Sequence, residues 1–274
     1  MKLERAAVVS QEELYENTYL MWLSCPPVAK GASPGRFLMI RCGDGFDPLL
    51  PRPMSFHRFR HQPSPGDQAL SLTGEWGGAQ PETQFAILYD VRGRGTAWLS
   101  TCKPGDVIRV FGPLGRGYSL SPATQNVLLV AGGLGVAAVV PLADEAVAAG
   151  KAVTLLQGAR TAARLYPPET LPQDVEVLSA TDDGTEGHHG YVTDLLPGYL
   201  SWADQVFACG PTPMFAGMAQ VMRQARSRKA VQALLEEHMG CGTGICYGCA
   251  VFTRKGVRLV CKDGPRFELR DVFR

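Results

Sequence analysis

Four cysteines constrain this chain more than any other feature: Cys241, Cys246, Cys249 and Cys261 stand in the order C-x4-C-x2-C-x11-C. The first three fall inside Met239–Ala250, a run that also carries Gly240, Gly242, Gly244 and Gly248. Four thiolates at this spacing form a ligand set for an iron–sulfur cluster. The glycines suit the same task, because a loop wrapped round a cluster must turn sharply and aim backbone N–H groups at sulfur. Three plainer readings compete with it. A structural zinc site pairs C-x2-C with C-x2-C, and the x4 step with its glycines fits that poorly. Disulfides need an oxidising compartment, which nothing in the sequence suggests. Buried free cysteines would explain each position singly but not the spacing.

The x4/x2 opening is the spacing of plant-type [2Fe–2S] ferredoxins. Beyond it, 274 residues suffice for two domains with their own cores and a small appendage. A net charge of +1, with 19% of residues charged, gives no electrostatic case for nucleic acid or an anionic membrane. The first residues, Met1-Lys-Leu-Glu-Arg-Ala-Ala-Val8, lack the apolar core of a signal peptide. Val127–Ala143 is uncharged, but Gly132, Gly133, Gly135 and Pro141 interrupt it, and it reads as a buried strand, a turn and a helix start. Eight cysteines without a secretion signal imply a reducing compartment, so a soluble cytoplasmic protein is expected.

Three parts are predicted. Residues 1–115 carry alternating runs broken by Gly and Pro, among them Arg36–Arg41, Gln84–Val91 and Asp106–Phe111, the pattern of an antiparallel barrel or sandwich. His61–Gln84 reads as a hairpin tip. Over 116–235 the apolar strands Val127–Ala131, Ala152–Gln157, Val175–Ser179 and Gln205–Cys209 alternate with helical stretches Val136–Ala149 and Pro213–Arg226. That alternation predicts a doubly wound parallel sheet. After the apolar run Ala230–Leu235, residues 236–274 hold the cysteine loop and two expected strands, Ala250–Arg254 and Arg258–Cys261.

The middle part carries a phosphate-cradle pattern. Val127-Leu-Leu-Val-Ala-Gly-Gly-Leu-Gly135 is a buried strand entering a helix through a glycine turn, where the backbone can approach a pyrophosphate and a helix N-terminus can bind it. Glycine turns of this kind also serve packing alone. A second buried strand ends in Cys209-Gly-Pro211 before another helix, placing both motifs on the carboxyl edge of the sheet. In the first part, Pro51 and Pro53 fix the backbone on either side of Arg52, and Gly93, Gly95 and Thr96 precede a short helix. A loop arginine is ordinarily a solvated charge, and the same holds for Arg52 and Arg94 taken singly.

R-P-x-S, then G-x-G-T, then A-G-G-x-G, then C-G-P, in this order, resembles the ferredoxin–NAD(P) reductase superfamily. With the terminal cysteine motif, the chain from about Val8 onward resembles the electron-transfer subunits of two-subunit bacterial dihydroorotate dehydrogenases. The resemblance implies an N-terminal antiparallel β-barrel binding FAD, an α/β domain binding NAD(H), and a C-terminal [2Fe–2S] segment. It implies that Arg52, Pro53, Met54 and Ser55 hold FAD, that Leu88, Tyr89 and Asp90 flank the flavin, and that Gly95 and Thr96 meet its phosphates. Gly132, Gly133 and Gly135 would form the pyridine-nucleotide turn, with Cys209, Gly210 and Pro211 beside the nicotinamide. The four cysteines would hold the cluster. The implied partner is an FMN-containing catalytic subunit that oxidises dihydroorotate to orotate, in a heterotetramer with two of each chain. Two positions depart from the pattern: Ala138 stands where a proline is common, the nearest being Pro141, and Asp90 stands where a neutral or basic residue is usual.

The cofactor set has a chemical logic, since nicotinamide gives up two electrons at once, the cluster takes one, and a flavin exchanges either number. No acid–base constellation is evident. The histidines at 57, 61, 188, 189 and 238 read as surface or structural, and Glu236 and Glu237 as solvated. Arg160 and Thr161 could grip an NADPH 2′-phosphate, whereas the resemblance favours NADH. The same cofactors also serve small subunits of sulfide dehydrogenase, sulfhydrogenase or glutamate-synthase-like complexes, but those tend to carry Asp at the first ligand position. Oxygenase reductases usually carry a full ferredoxin domain, too large for the residues after Leu235. Met239, Ile245, Tyr247, Val251 and Phe252 lie about the cysteines and are expected to form a docking surface.

Overall fold

A computed structural model describes residues 1–60 and 83–273. The hairpin tip expected from His61 lies, up to residue 82, outside them.

The first sheet is built from β1 (Lys2–Tyr15), β2 (Thr18–Ser24), β3 (Phe37–Arg41), β4 (Arg52–Ser55), β5 (Arg58–Arg60), β6 (Gln84–Asp90) and β7 (Val107–Leu114), with short helices α1 (Pro26–Ala29) and α2 (Arg94–Ser100). Its strands run β4-β3-β7-β1-β2-β6-β5, antiparallel throughout, and the sheet curls so that its two ends approach. Only Phe56 and His57 separate the two end strands β4 and β5 in the chain, and the His57 backbone N–H donates to the Ala86 carbonyl of β6 at 2.8 Å, continuing the β5–β6 ladder. Alternation decides the interior: Met21, Leu23, Leu38, Ile40, Phe85, Ile87 and Tyr89 point inward and are buried.

The second sheet comprises β8 (Asn126–Gly132), β9 (Ala152–Ala159), β10 (Val175–Thr181), β11 (His188–His189), β12 (Gln205–Cys209) and β13 (Val231–Leu234). Around it lie α3 (Val136–Ala148), α4 (Val192–Tyr199) and α5 (Thr212–Gln224). These strands are parallel, with β8 central between β9 and β12. Val127, Leu128, Leu129 and Val130 are fully buried because helices cover both faces, each worth about 1.5–3 kcal/mol in area removed from water. Strand order reverses beside β8, which puts the glycine turn and Cys209-Gly-Pro211 at neighbouring strand ends.

After residue 235 the chain forms the cysteine loop, the hairpin β14 (Ala250–Thr253) and β15 (Gly256–Leu259), and α6 (Val260–Asp263). It then returns as β16 (Arg266–Glu268) and α7 (Leu269–Val272). The strand expected over Arg258–Cys261 ends at Leu259, and Cys261 sits in a helical turn whose N–H points at the Cys249 sulfur. β16 pairs antiparallel with β13, so the tail adds an edge to the second sheet. One apolar cluster unites Phe37, Met39 and Leu114 of the barrel with Val130 and Ala208 of the second sheet and Met239, Cys249, Val260 and Cys261 of the tail. All three parts share this core, and the surfaces facing it shape the site.

Candidate cofactor site

A cavity of about 1120 Å³ opens where the three parts meet. Arg52, Pro53, Met54, Ser55 and Leu88 line it from the barrel, and Leu134, Ala137 and Cys209 from the second sheet. Glu236, Gly240, Cys241, Cys246 and Gly248 close it from the tail. Motifs far apart in sequence thus face one space.

On the barrel side, Arg52 is held in β4 opposite Ile40 and lies across α2. A Cβ on Gly95 would come within 2.8 Å of the Arg52 Nε and 2.9 Å of its Cζ, so the missing side chain at 95 is what lets the guanidinium rest there. Thr96 Oγ1 accepts N–H bonds from Arg92 at 2.9 Å and Gly93 at 3.2 Å, fixing the first turn. Arg52, Gly95 and Thr96 therefore meet, as a diphosphate cradle requires. In β6 only Leu88 of the 88–90 run lines the cavity. Tyr89 turns into the barrel, its hydroxyl donating to Gln11 Oε1 at 2.7 Å.

Asp90 is committed elsewhere. Thr18 donates to its carboxylate at 2.7 Å, and Arg92 and Arg164 each approach at 2.9 Å. Burial opposes its ionisation, but the Thr18 and Arg92 hydrogen bonds and the charge of Arg164 hold its carboxyl below the usual Asp range. Arg164 reaches from the second sheet and also donates to the Glu16 carbonyl, so Asp90 joins the barrel to the second sheet. Because the folded pKa is depressed, this stabilisation is complete above the unfolded Asp value and is lost as pH falls through the folded one. Asp90→Asn should cost about 1–3 kcal/mol at neutral pH, the value moderated by the exposure of both arginines, and less below about pH 4. Denaturant midpoints at the two pH values measure it.

The glycine turn presses directly on the second motif. A Cβ on Gly132 would meet Met214 Sδ and Pro211 Cδ, both at 2.8 Å, and one on Gly135 would run into the Cys209 carbonyl oxygen. Gly133 differs: its φ is +53°, and a Cβ there would have open space around it. Two glycines thus serve close packing, and one supplies the left-handed backbone of an open turn. The Cys209 thiol points at Glu236 Oε1, 3.6 Å away. Burial, then the neighbouring Glu236 charge, push the thiol well above its ordinary value, and burial raises Glu236 as well. Glu236 is exposed, as its sequence context predicts, but it opens onto the cavity rather than onto the outer surface. It faces the cavity beside Cys209, a neighbour 27 positions away that only the fold brings to it.

In the cysteine loop, Cys249 and Cys261 are buried, Cys241 is half-buried and Cys246 exposed. The Thr243 N–H points at Cys241 Sγ and the Cys261 N–H at Cys249 Sγ, each at 3.4 Å. Gly242 (φ +71°) and Gly244 (φ +86°) make the turns; a Cβ on Gly242 would lie 2.7 Å from Met39 Cγ. Burial works against the Cys241 thiolate, but N–H groups of Cys246 and Thr243 outweigh it and bring the thiol down to about 5. Burial and its neighbour Cys249 push Cys261 up to about 12. The thiols associate in two pairs, Cys241 with Cys246 and Cys249 with Cys261. Among the described residues no three Cys, His, Asp or Glu side chains gather as round a single ion. Paired thiols with amides aimed at sulfur fit a two-iron cluster, which takes two protein ligands per iron.

Around this loop Ile245 is 81% and Tyr247 66% exposed, and Tyr247 is held at φ +59°. Phe46, Leu49 and Leu50, just before the Arg52 strand, are also exposed, and Leu50 reaches the Gly240 backbone. Phe252 is exposed farther along the tail, Val251 is half-buried, and Met239 folds into the shared core.

A family model described as the iron–sulfur cluster binding domain of dihydroorotate dehydrogenase B matches residues 236–273. The electron transfer subunit of dihydroorotate dehydrogenase B (NAD(+)) from Geobacillus kaustophilus is 34% identical over 274 residues, covering 98% of each chain. Its counterpart from Desulforamulus reducens is also 34% identical, over 97% of this chain and 96% of that one. Among solved structures, an NADH-dependent reduced ferredoxin–NADP oxidoreductase, described for flavin-based electron bifurcation, superposes with a TM-score of 0.77 at 28% identity. The match covers 97% of this chain and 89% of that one.

Proposed function

The chain belongs to the family of electron transfer subunits of NAD-dependent dihydroorotate dehydrogenase B, and from that premise we propose the following roles for its residues and its partner. Electrons pass between a catalytic subunit that converts dihydroorotate to orotate and NAD, by way of a [2Fe–2S] cluster and FAD. The flavin supplies the exchange between one-electron and two-electron transfer. What supports these assignments is the single cavity that Arg52–Ser55, Cys209 and the Cys241–Cys246 loop line together.

Arg52, Gly95 and Thr96 bind the FAD diphosphate, and Pro53, Met54, Ser55 and Leu88 orient the flavin. Tyr89 and Asp90 support that wall from behind. The glycine turn and Cys209-Gly-Pro211 seat the nicotinamide end of NAD. The partner carries FMN, and two of each chain assemble. Cytoplasm is the setting we propose, since the cysteines are free thiols; among the described residues no helix is long and apolar enough to cross a membrane. Co-expressed with its catalytic subunit and purified without oxygen, the complex should reduce NAD with dihydroorotate. The isolated chain should reduce dyes with NADH yet leave dihydroorotate untouched. Orotate formation by the chain alone would overturn the reading.

The coenzyme is NADH. Of the cations after β9, Arg164 is held by Asp90 and the Glu16 carbonyl. Beside Arg160 lies Asp183, whose N–H donates to the Arg160 carbonyl at 3.2 Å. Hydrogen bonds from Thr185 keep the Asp183 carboxyl below the usual range, so it stays charged where a 2′-phosphate would come. In stopped flow, NADH should reduce the flavin at least about tenfold faster than NADPH at equal subsaturating concentration, a difference of about 1.4 kcal/mol. Faster reduction by NADPH would reverse the assignment.

A further inference from the structure

His57 follows the Arg52–Ser55 strand by two residues and is fully buried, where its sequence context left a surface or a structural place open. Its imidazole crosses from the barrel to the second sheet: Nδ1 lies 3.0 Å from the Ala137 carbonyl and Nε2 3.1 Å from the Tyr166 hydroxyl. A carbonyl can only accept, so Nδ1 carries the proton and Nε2 accepts from Tyr166. Burial, above all, pushes the ring down to about 3, and it stays neutral and keeps this tautomer.

The Ala137 carbonyl is available for a particular reason. In a regular helix it would take the N–H of the residue four positions on, and that residue is Pro141, inside α3. Proline has no N–H to give, and a buried carbonyl left without a partner is costly. His57 supplies the missing donor from the other side of the interface. Ala137 lies two residues past the glycine turn and lines the same cavity as Arg52–Ser55. Tyr166 stands just past the stretch after β9 in which Arg160 and Thr161 lie, and its ring meets the His57 ring edge-on at 5.5 Å. Arg58 extends the seam, pairing with Asp144 of α3 at 3.4 Å and donating to the Thr170 carbonyl at 2.5 Å.

We infer that His57 is a positioning residue for electron transfer between nicotinamide and flavin: through the carbonyl that Pro141 frees and through Tyr166, it fixes the flavin-binding strand against the helix that opens the nucleotide turn. The inference rests on the electron-transfer reading above. Neither ring nitrogen touches the reacting atoms; both set the relative position of the two walls that hold them. Hydride transfer is acutely sensitive to such placement, and shifts near 1 Å cost about 100-fold.

The test is anaerobic stopped-flow reduction of FAD by NADH in the purified holoprotein, with thermal midpoints alongside. His57→Leu should lower the limiting reduction rate at least about tenfold while changing the apparent NADH dissociation constant less than about threefold. Adding Pro141→Ala restores an N–H for the orphaned carbonyl within the helix. The double variant should therefore recover much of the thermal midpoint while remaining slow. Recovery of the rate together with the midpoint would show that His57 only satisfies a carbonyl, and would overturn the inference. Tyr166→Phe, which removes one hydroxyl and preserves packing, carries the test should His57→Leu fail to hold FAD. It should slow reduction at least about threefold, and the parental rate there also overturns the inference. A parent protein without FAD, or one whose FAD NADH does not reduce, refutes the electron-transfer reading instead.

Discussion

Cys246→Ser should empty the chain of its cluster and leave its flavin in place. The exposed Cys246, proposed as a cluster ligand, is flanked by Gly240 and Gly248, and its sulfur lies 3.5 and 3.6 Å from where their Cβ atoms would stand. Serine keeps the shape but is a far poorer iron ligand than a thiolate. The proposed flavin cradle, Arg52, Gly95 and Thr96 on the barrel, makes internal contacts that do not involve Cys246. Iron should fall from about two per chain toward zero, and dihydroorotate-dependent NAD reduction by the complex at least about 100-fold, beyond the usual cost of perturbing groups around a metal ligand. NADH-dependent dye reduction should stay within about threefold of the parent, because that route ends at the flavin. A parent protein with no iron, or with four per chain, would rule out the [2Fe–2S] assignment. A variant that still links dihydroorotate to NAD would rule out the cluster as the route.

Tyr247→Glu should separate the subunits. Tyr247 projects from the tip of the cysteine loop, 66% exposed and in left-handed backbone that costs a bulky residue about 1–2 kcal/mol. Ile245 stands two positions before it, and Phe46, Leu49 and Leu50 are exposed on the barrel, with Leu50 packed against Gly240 of the loop. Exposed apolar side chains beside a redox group give a partner both its contact area and a short path for electrons. An unpaired carboxylate buried at the centre of such a contact should weaken binding at least about 30-fold, the level of a strong interface residue. Dye reduction by NADH should be unaffected. Calorimetry or gel filtration with the catalytic subunit reads the first effect, and unchanged affinity would place the docking face elsewhere.

The motifs that proved legible are those whose physical cause is local. Glycines at 242 and 244, turns between the cysteines, and prolines on either side of Arg52 constrain backbone within a few positions, so their pattern survives without the fold. The parallel strands were legible for a related reason: four consecutive fully buried residues from Val127 to Val130 require cover on both faces, which only a sheet wound with helices gives. The expected strand through Cys261 ends at Leu259 because a run as short as Leu259-Val-Cys261 fits a strand or a helical turn equally; in the turn the Cys261 N–H points at the Cys249 sulfur.

Glu236, Asp90 and His57 mark the other limit. As sequence, Glu236 is one acid beside another; its place facing the Cys209 thiol depends on β12 and β13 being neighbours. Asp90 departs from the family pattern, and the compensating Arg164 lies 74 positions away. Pro141, which reads as a displaced family proline, acquires meaning only with His57, whose partners Ala137 and Tyr166 are 80 and 109 residues distant. The sequence by itself determined the cysteine spacing, the glycine turns and the order of the three parts, because each follows from bonding among close neighbours. The tertiary structure alone decided which carbonyl lacks a donor, which carboxylate is ion-paired across the interface and which motifs share a cavity. Those depend on desolvation and on contacts between distant residues, which arise only once the core has closed.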